Sequence, residues 1–402
     1  MTDARPGPGT PGPPAGGGDR RAIPGPVAGA AVHPTAGIRV RGAAGLSPAS
    51  IGLVLATFAL VPMLLAVRGG QFVDRIGVRT PMLAGTALAA AGTGLCALVP
   101  HPAALALAAG TVGLGTMAFH LGMQHCAGEI GGAAQRTANF NLLTLSFSAS
   151  GIAGAPIAGI VVDQFGHRAA FGLATALLLG VWLAASRFPF AAHLRGPEPG
   201  RRTPDASTPP GSPAAADAFA LLGAPRLRRL LIASLLASAS WDVYQFVLPL
   251  HAGSMGLSAT AVGVAIAAFS AGSLSVRLVL PSLIGRMHPA RWMQAALAIC
   301  VIAYAAVPFA GGFGPLLAMS FVIGIGPGIA QPLLMSALHR ASPPGRAGEA
   351  AGLRMTLLSA TQLALPVALG LVAGVLGTAS LFWLYAAVAA TVGAVLARAD
   401  RR

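Results

Sequence analysis

Asp242 is the one acidic residue that falls within a long apolar stretch, in the string Trp241-Asp242-Val243-Tyr244-Gln245. An ionisable group in such surroundings is costly to keep, which makes it a functional candidate. An enclosed carboxyl can load and release a proton near neutral pH, or bind a cation. The same burial suits an ion pair, with Arg277 of Ser273-Leu274-Ser275-Val276-Arg277 as the partner. Both readings hold together if protonation breaks the pair. Arg277 has two further options: holding an anionic substrate, or snorkelling to the surface. Arg354, near the start of its stretch, is expected to snorkel. His120 and Gln124 are four residues apart and share a helix face. His120 is either a hydrogen-bonded packing residue or a proton relay. Gln331 and Gln362 can present amides to a central cavity, beside Gln245, while Trp241 and Tyr244 can stack on a substrate.

Enzyme chemistry finds no such support. The chain has no His-Glu-x-x-His, paired catalytic carboxylates, Gly-x-Ser-x-Gly elbow or Walker loop, so catalytic residues and cofactors are expected to be none. Cys96, Cys126 and Cys300 have no metal-ligand spacing and read as small apolar residues. No metal site is expected.

The elements that must position these residues are eleven apolar stretches, near 49–67, 80–99, 103–123, 140–162, 169–188, 228–250, 259–284, 291–309, 313–338, 351–375 and 379–397. A membrane span needs about 20 mostly apolar residues, and spans in series must be helices. With 55% hydrophobic and 9% charged residues, the composition excludes an ordinary soluble domain. Arginines concentrate in alternate gaps: Arg68, Arg75 and Arg79; Arg136; Arg187 to Arg229; Arg286; Arg340 and Arg346; Arg398 to Arg402. The other gaps hold only Arg168. Positive-inside bias places the arginine-rich gaps and the C-terminus in the cytoplasm of a bacterial inner membrane. The net charge of +15 flanks spans on one side, so membrane lipid rather than nucleic acid is the expected partner.

Residues 1–44, rich in Pro, Gly and Arg, read as disordered, and 189–227 as a cytoplasmic linker. Between and after them lie a bundle of five spans at 45–188 and one of six at 228–398. The halves look duplicated. Gly45-Leu46-Ser47 precedes the first span and Gly256-Leu257-Ser258 the seventh, 211 residues on. Arg75 and Arg286, and Phe171 and Phe382, keep that offset, and Pro156 and Pro366 differ from it by one. Internal duplication is a common build of secondary transporters. The span at 228–250 has no counterpart in the first half. The expectation is therefore a twelve-helix plan whose first helix was lost or garbled before about residue 44.

Between the first two spans runs Gly70-Gln71-Phe72-Val73-Asp74-Arg75-Ile76-Gly77-Val78-Arg79-Thr80-Pro81-Met82. It resembles the cytoplasmic loop signature of the major facilitator superfamily at Gly70, Asp74, Arg75, Gly77 and Arg79. Phe72, Val78 and Met82 depart from it. Gly151-Ile152-Ala153-Gly154-Ala155-Pro156-Ile157-Ala158-Gly159 is similar to a degraded form of that family's antiporter signature, its Gly-Pro pair broken by Ala155. Gly151, Gly154 and Gly159 allow close helix packing, and Pro156 a bend. The resemblance covers about residues 45–398. It implies an all-α membrane protein of two helical bundles with a pseudo-twofold repeat, eleven spans visible of twelve. It further implies a secondary transporter working by alternating access, with the loop cluster latching the bundles. Proton-coupled efflux of a drug or metabolite is the first expectation and solute uptake the second. A transport-inactive truncated protein or sensor is the reading from another class. The expected partners are a small-molecule substrate, protons and lipid, with the chain a monomer.

Overall fold

A chain in hydrocarbon must close its backbone hydrogen bonds within each segment. The computed structural model meets that condition with helices. It describes residues 53–54, 56–60, 78–99, 101–129, 132–187, 221–283, 289–342 and 347–399. The N-terminal 1–44, most of the linker and most of the Gly70–Met82 loop lie outside these, as do the first-helix and disorder expectations attached to them.

Among the described residues nine long helices follow in order: α1 (Arg79–Leu98), α2 (Pro102–Glu129), α3 (Gly132–Arg187), α4 (Pro225–Ser254), α5 (Ala259–Leu283), α6 (Pro289–Ala306), α7 (Phe313–Ala341), α8 (Ala347–Leu376) and α9 (Thr378–Ala399). Residues 53–54 and 56–60 are helical as well. Among the described residues there is no strand. α3 is two limbs joined at Gly166, whose φ of 77° is open to glycine and strained for other residues. The two limbs are the separate stretches expected at 140–162 and 169–188. Large apolar side chains such as Leu98, Ile302, Phe309 and Val375 stand exposed on the outer faces, where lipid rather than water is their solvent.

The 211-residue repeat holds in three dimensions. Gly113 of α2 lies so close to the helical segment at Phe58 that a Cβ would stand 2.0 Å from the Phe58 carbonyl oxygen. Gly324 of α7 meets the Phe269 carbonyl oxygen of α5 in the same way, at 2.0 Å. Both partners are displaced by 211. Gly115 against Ala89 and Gly326 against Cys300 form a second pair at that displacement. The two halves therefore use equivalent glycines to bring equivalent helices together, as duplicated bundles do.

Among the described residues a long seam joins the halves: the first limb of α3 runs antiparallel to α5. Gly159 sits under the Ala259 carbonyl and Gly263 under that of Ala155, leaving 2.4 and 2.3 Å for any added Cβ. Gly151 faces the Ser270 hydroxyl. At one end of the seam the Asp163 carboxylate accepts the N–H groups of Ala259 and Thr260, at 3.0 and 2.8 Å. A carboxylate at a helix N-terminus satisfies orphan donors and meets the positive end of the helix dipole. Here the capped helix belongs to the other half.

Candidate substrate cavity

At the inner end of this seam lies a cavity of about 400 Å³. α2 contributes Thr116, α3 Phe147, Ser148 and Gly151, and α4 Trp241 and Gln245. α5 adds Phe269, Ser270 and Arg277, and α7 adds Pro327 and Gln331. Helices from both halves thus wall one space, of the size of small-ligand sites.

Arg277 supplies the only full charge in the lining. Its guanidinium donates to the Ser148 hydroxyl at 3.4 Å and to Gln331 Oε1 at 2.9 Å. These bonds tie α5 to α3 and α7 and fix the planar fork without neutralising it. The expected Asp242–Arg277 ion pair is corrected: Asp242 instead has the Gln362 side chain of α8 as its hydrogen-bond partner. Helix geometry gives the reason. Trp241 and Gln245 are one turn apart and face α5, whereas Asp242 is turned about 100° away, toward α8. Arg354, in turn, donates from Nε to the Ser234 hydroxyl of α4. Ser234–Arg354 and Asp242–Gln362 are equally spaced in sequence, so α4 and α8 carry two polar rungs about 12 Å apart.

The other expected site residues divide. Trp241 lines the cavity and contacts the Phe269 ring at a centroid distance of 4.8 Å. Tyr244 does not line it. Its ring is 1% exposed, stacks on Phe269 at 4.7 Å, and gives its hydroxyl proton to the Ala265 carbonyl. Tyr244 is a core residue because it points along the α4–α5 interface. Gln245 reaches the cavity with a buried Oε1 that finds no donor among the described residues. The His120 ring lies against that of Phe147, at a centroid distance of 5.1 Å. The side chain of Gln124 lies outside the described residues. Of the loop cluster, Gly70, Asp74, Arg75 and Gly77 lie outside them too. Arg79 donates to the Ser186 carbonyl at the end of α3, where a cation also meets the negative end of the helix dipole. Gly151 and Gly159 are buried on the seam, with Pro156 beside Gly263, and Gly154 is buried as well.

Sequence reasoning missed Asp163, Gly263, Ser148 and Phe269. Only Gly263 carried a signal, since it closes the repeated Gly-Leu-Ser segment.

A two-bundle helical scaffold with a polar cavity at the junction of its halves defines a membrane carrier. The profile of the Major Facilitator Superfamily matches residues 28–363. The chain belongs to that superfamily, and it is a secondary transporter rather than an enzyme. No curated protein matches the sequence. The nucleoside transporter NupG is similar in structure, with a TM-score of 0.74 at 14% identity over 94% of this chain and 96% of that one. PepTSo, a POT family transporter, gives 0.69 at 13% over 93% and 96%. The human organic anion transporter MFSD10 gives 0.62 at 18% over 86% and 83%. At these identities the likeness is one of fold.

Proposed function

We propose that this transporter carries a small organic anion through the Arg277 cavity, with protons as the coupling ion. The observation that supports the anion is the guanidinium of Arg277, held by two neutral partners and facing a space with no acidic side chain in its lining. Arginine binds carboxylate or phosphate through two parallel N–H donors. The Trp241, Phe269 and Phe147 rings beside it suit a planar apolar body. Asp242, one helix face away on α4, is the proton carrier in this reading. Its partner Gln362 can donate to the charged carboxylate or accept from the protonated one.

Orientation follows from the arginine pattern, which puts the Asp163 end of the seam outside and the C-terminus in the cytoplasm of a bacterial inner membrane. The α3–α5 seam then closes the outer side, and the cavity is loaded from the cytoplasm, as an efflux carrier requires. The chain works as a monomer, since one copy supplies both bundles.

Reconstitution into liposomes with an imposed pH gradient tests this. Labelled aromatic carboxylates should accumulate, and Arg277→Gln should weaken their binding at least tenfold, the loss expected for a charge-assisted pair. Asp242→Asn should stop gradient-driven accumulation yet keep exchange of labelled for unlabelled solute. Flux of neutral and cationic solutes without anions would overturn the substrate class. Undiminished accumulation by Asp242→Asn would overturn its coupling role.

A further inference from the structure

A second cavity, of about 460 Å³, lies wholly inside the C-terminal half, among α4, α6, α7 and α9. It shares Pro327 as a wall with the substrate cavity but takes nothing from the first half. Its mouth and its depth differ in chemistry. Arg226 and Arg229 of α4 and Arg340 of α7 stand at one end. The shaft beyond them is made of side chains such as Ala233, Leu297, Ala330 and Leu334, and it ends at Cys300 and Tyr385. No acidic residue lines it. Arg340 donates to the Ser336 hydroxyl, which occupies one of the five N–H donors of its guanidinium.

We propose that this cavity is a binding site for one acyl chain of an anionic amphiphile, its head held by the three arginines. Length supports the assignment. From Arg226 to Ala237, both in the lining, α4 rises about 16 Å at 1.5 Å per residue. One leaflet of hydrocarbon is about 15 Å deep. The shaft therefore spans one leaflet, and the arginines lie at the level of its headgroups. The lining is apolar where a chain would lie and cationic where a phosphate or carboxylate would lie. A transported solute would need exits on both sides between the halves, and a space lined by four helices of one bundle does not lie between them. The occupant belongs to the scaffold: an amphiphile drawn from the arginine-rich side, filling the space that the four helices line.

The test uses the full chain purified in neutral detergent, with a diazirine-bearing fatty acid as probe. Mapped by peptide mass spectrometry, the probe should label α6 and α9 peptides facing the shaft. Lysophosphatidylglycerol should displace it, and lysophosphatidylcholine should need at least tenfold more. Arg226→Gln with Arg340→Gln, both at exposed positions, should lower probe affinity at least tenfold without lowering the unfolding temperature. Ala330→Phe, which fills the shaft and leaves the arginines, should abolish labelling. Equal displacement by both lysolipids would overturn the assignment, as would labelling confined to the outer helix faces. Displacement by inorganic phosphate or glycerol phosphate at equal concentration would show a site for a free anion, and that too would overturn it.

Discussion

Replacing Gly263 by alanine should open the outer side of the carrier while leaving each bundle intact. An added Cβ would sit 2.3 Å from the Ala155 carbonyl oxygen, 2.8 Å from its carbon and 3.0 Å from the Cα of Pro156. All three are backbone atoms, so no side-chain rotation relieves the contact. Carbon and oxygen settle at about 3.3 Å or more, so α3 and α5 must part by roughly 1 Å. Overpacking of this kind costs about 1–3 kcal/mol. The seam joins two bundles, so the strain falls on the closed state alone and vanishes when the bundles rock apart. A bias of that size shifts the closed-to-open ratio about 5- to 150-fold. Ile266, 2% exposed in the cavity lining one turn inward, is a suitable reporter. With Cys96, Cys126 and Cys300 replaced by alanine, Ile266→Cys should react with an impermeant maleimide from the outer side faster by that factor in the Gly263→Ala background. Two controls bracket the effect. Gly180→Ala, with nothing within 4 Å of the new methyl, should change nothing. Gly324→Ala, whose methyl would meet the Phe269 carbonyl within one bundle at 2.0 Å, should lower the unfolding temperature without exposing residue 266. If Gly263→Ala instead lowers the unfolding temperature as Gly324→Ala does, with labelling unchanged, the seam is permanent packing and the rocking account fails.

The Asp163 cap at the same end should respond to acid. Desolvation raises the value of this carboxyl, but donors from Thr260, Ala259 and Ser258 outweigh it and hold the group below the usual carboxylate range. A lowered value means that the latch is present at neutral pH and is lost only as pH falls through that lowered value. Opening of the seam, read by spin-label distances between α3 and α5, should rise only in that acid range. Asp163→Asn should raise it at pH 7 by roughly fivefold, the worth of a helix cap of about 1 kcal/mol, and flatten the pH profile; an unchanged profile would remove the latch. Asp74→Ala, in the loop cluster, should slow turnover of reconstituted protein more than it weakens ligand binding; equal loss of both, with poor insertion, would make Asp74 purely structural.

Sequence alone settled the plan of this protein. Long apolar stretches can only be helices in lipid, and a 211-residue offset between landmarks exposes the duplication. These are local or periodic properties, and a linear reading preserves them. The folded arrangement extends the same offset to glycine contacts, Gly113 at Phe58 and Gly324 at Phe269. What lies opposite what was another matter. Asp242 and Arg277 were both conspicuous, as the one acid within an apolar stretch and the deepest base of their half, and opposite charge suggested a pair. Rotation of about 100° between neighbours on α4 sent the carboxyl to Gln362 and left the guanidinium to Ser148 and Gln331. Tyr244 and Trp241 are equally aromatic in sequence, yet one is core and the other lines the cavity. Nothing in the sequence singled out Asp163, because its partners lie 96 and 97 residues away on the opposite half. Hydropathy and charge act along the chain, so they can be read from it. Side-chain partners depend on helix rotation and on how the two halves meet, which only the folded arrangement fixes.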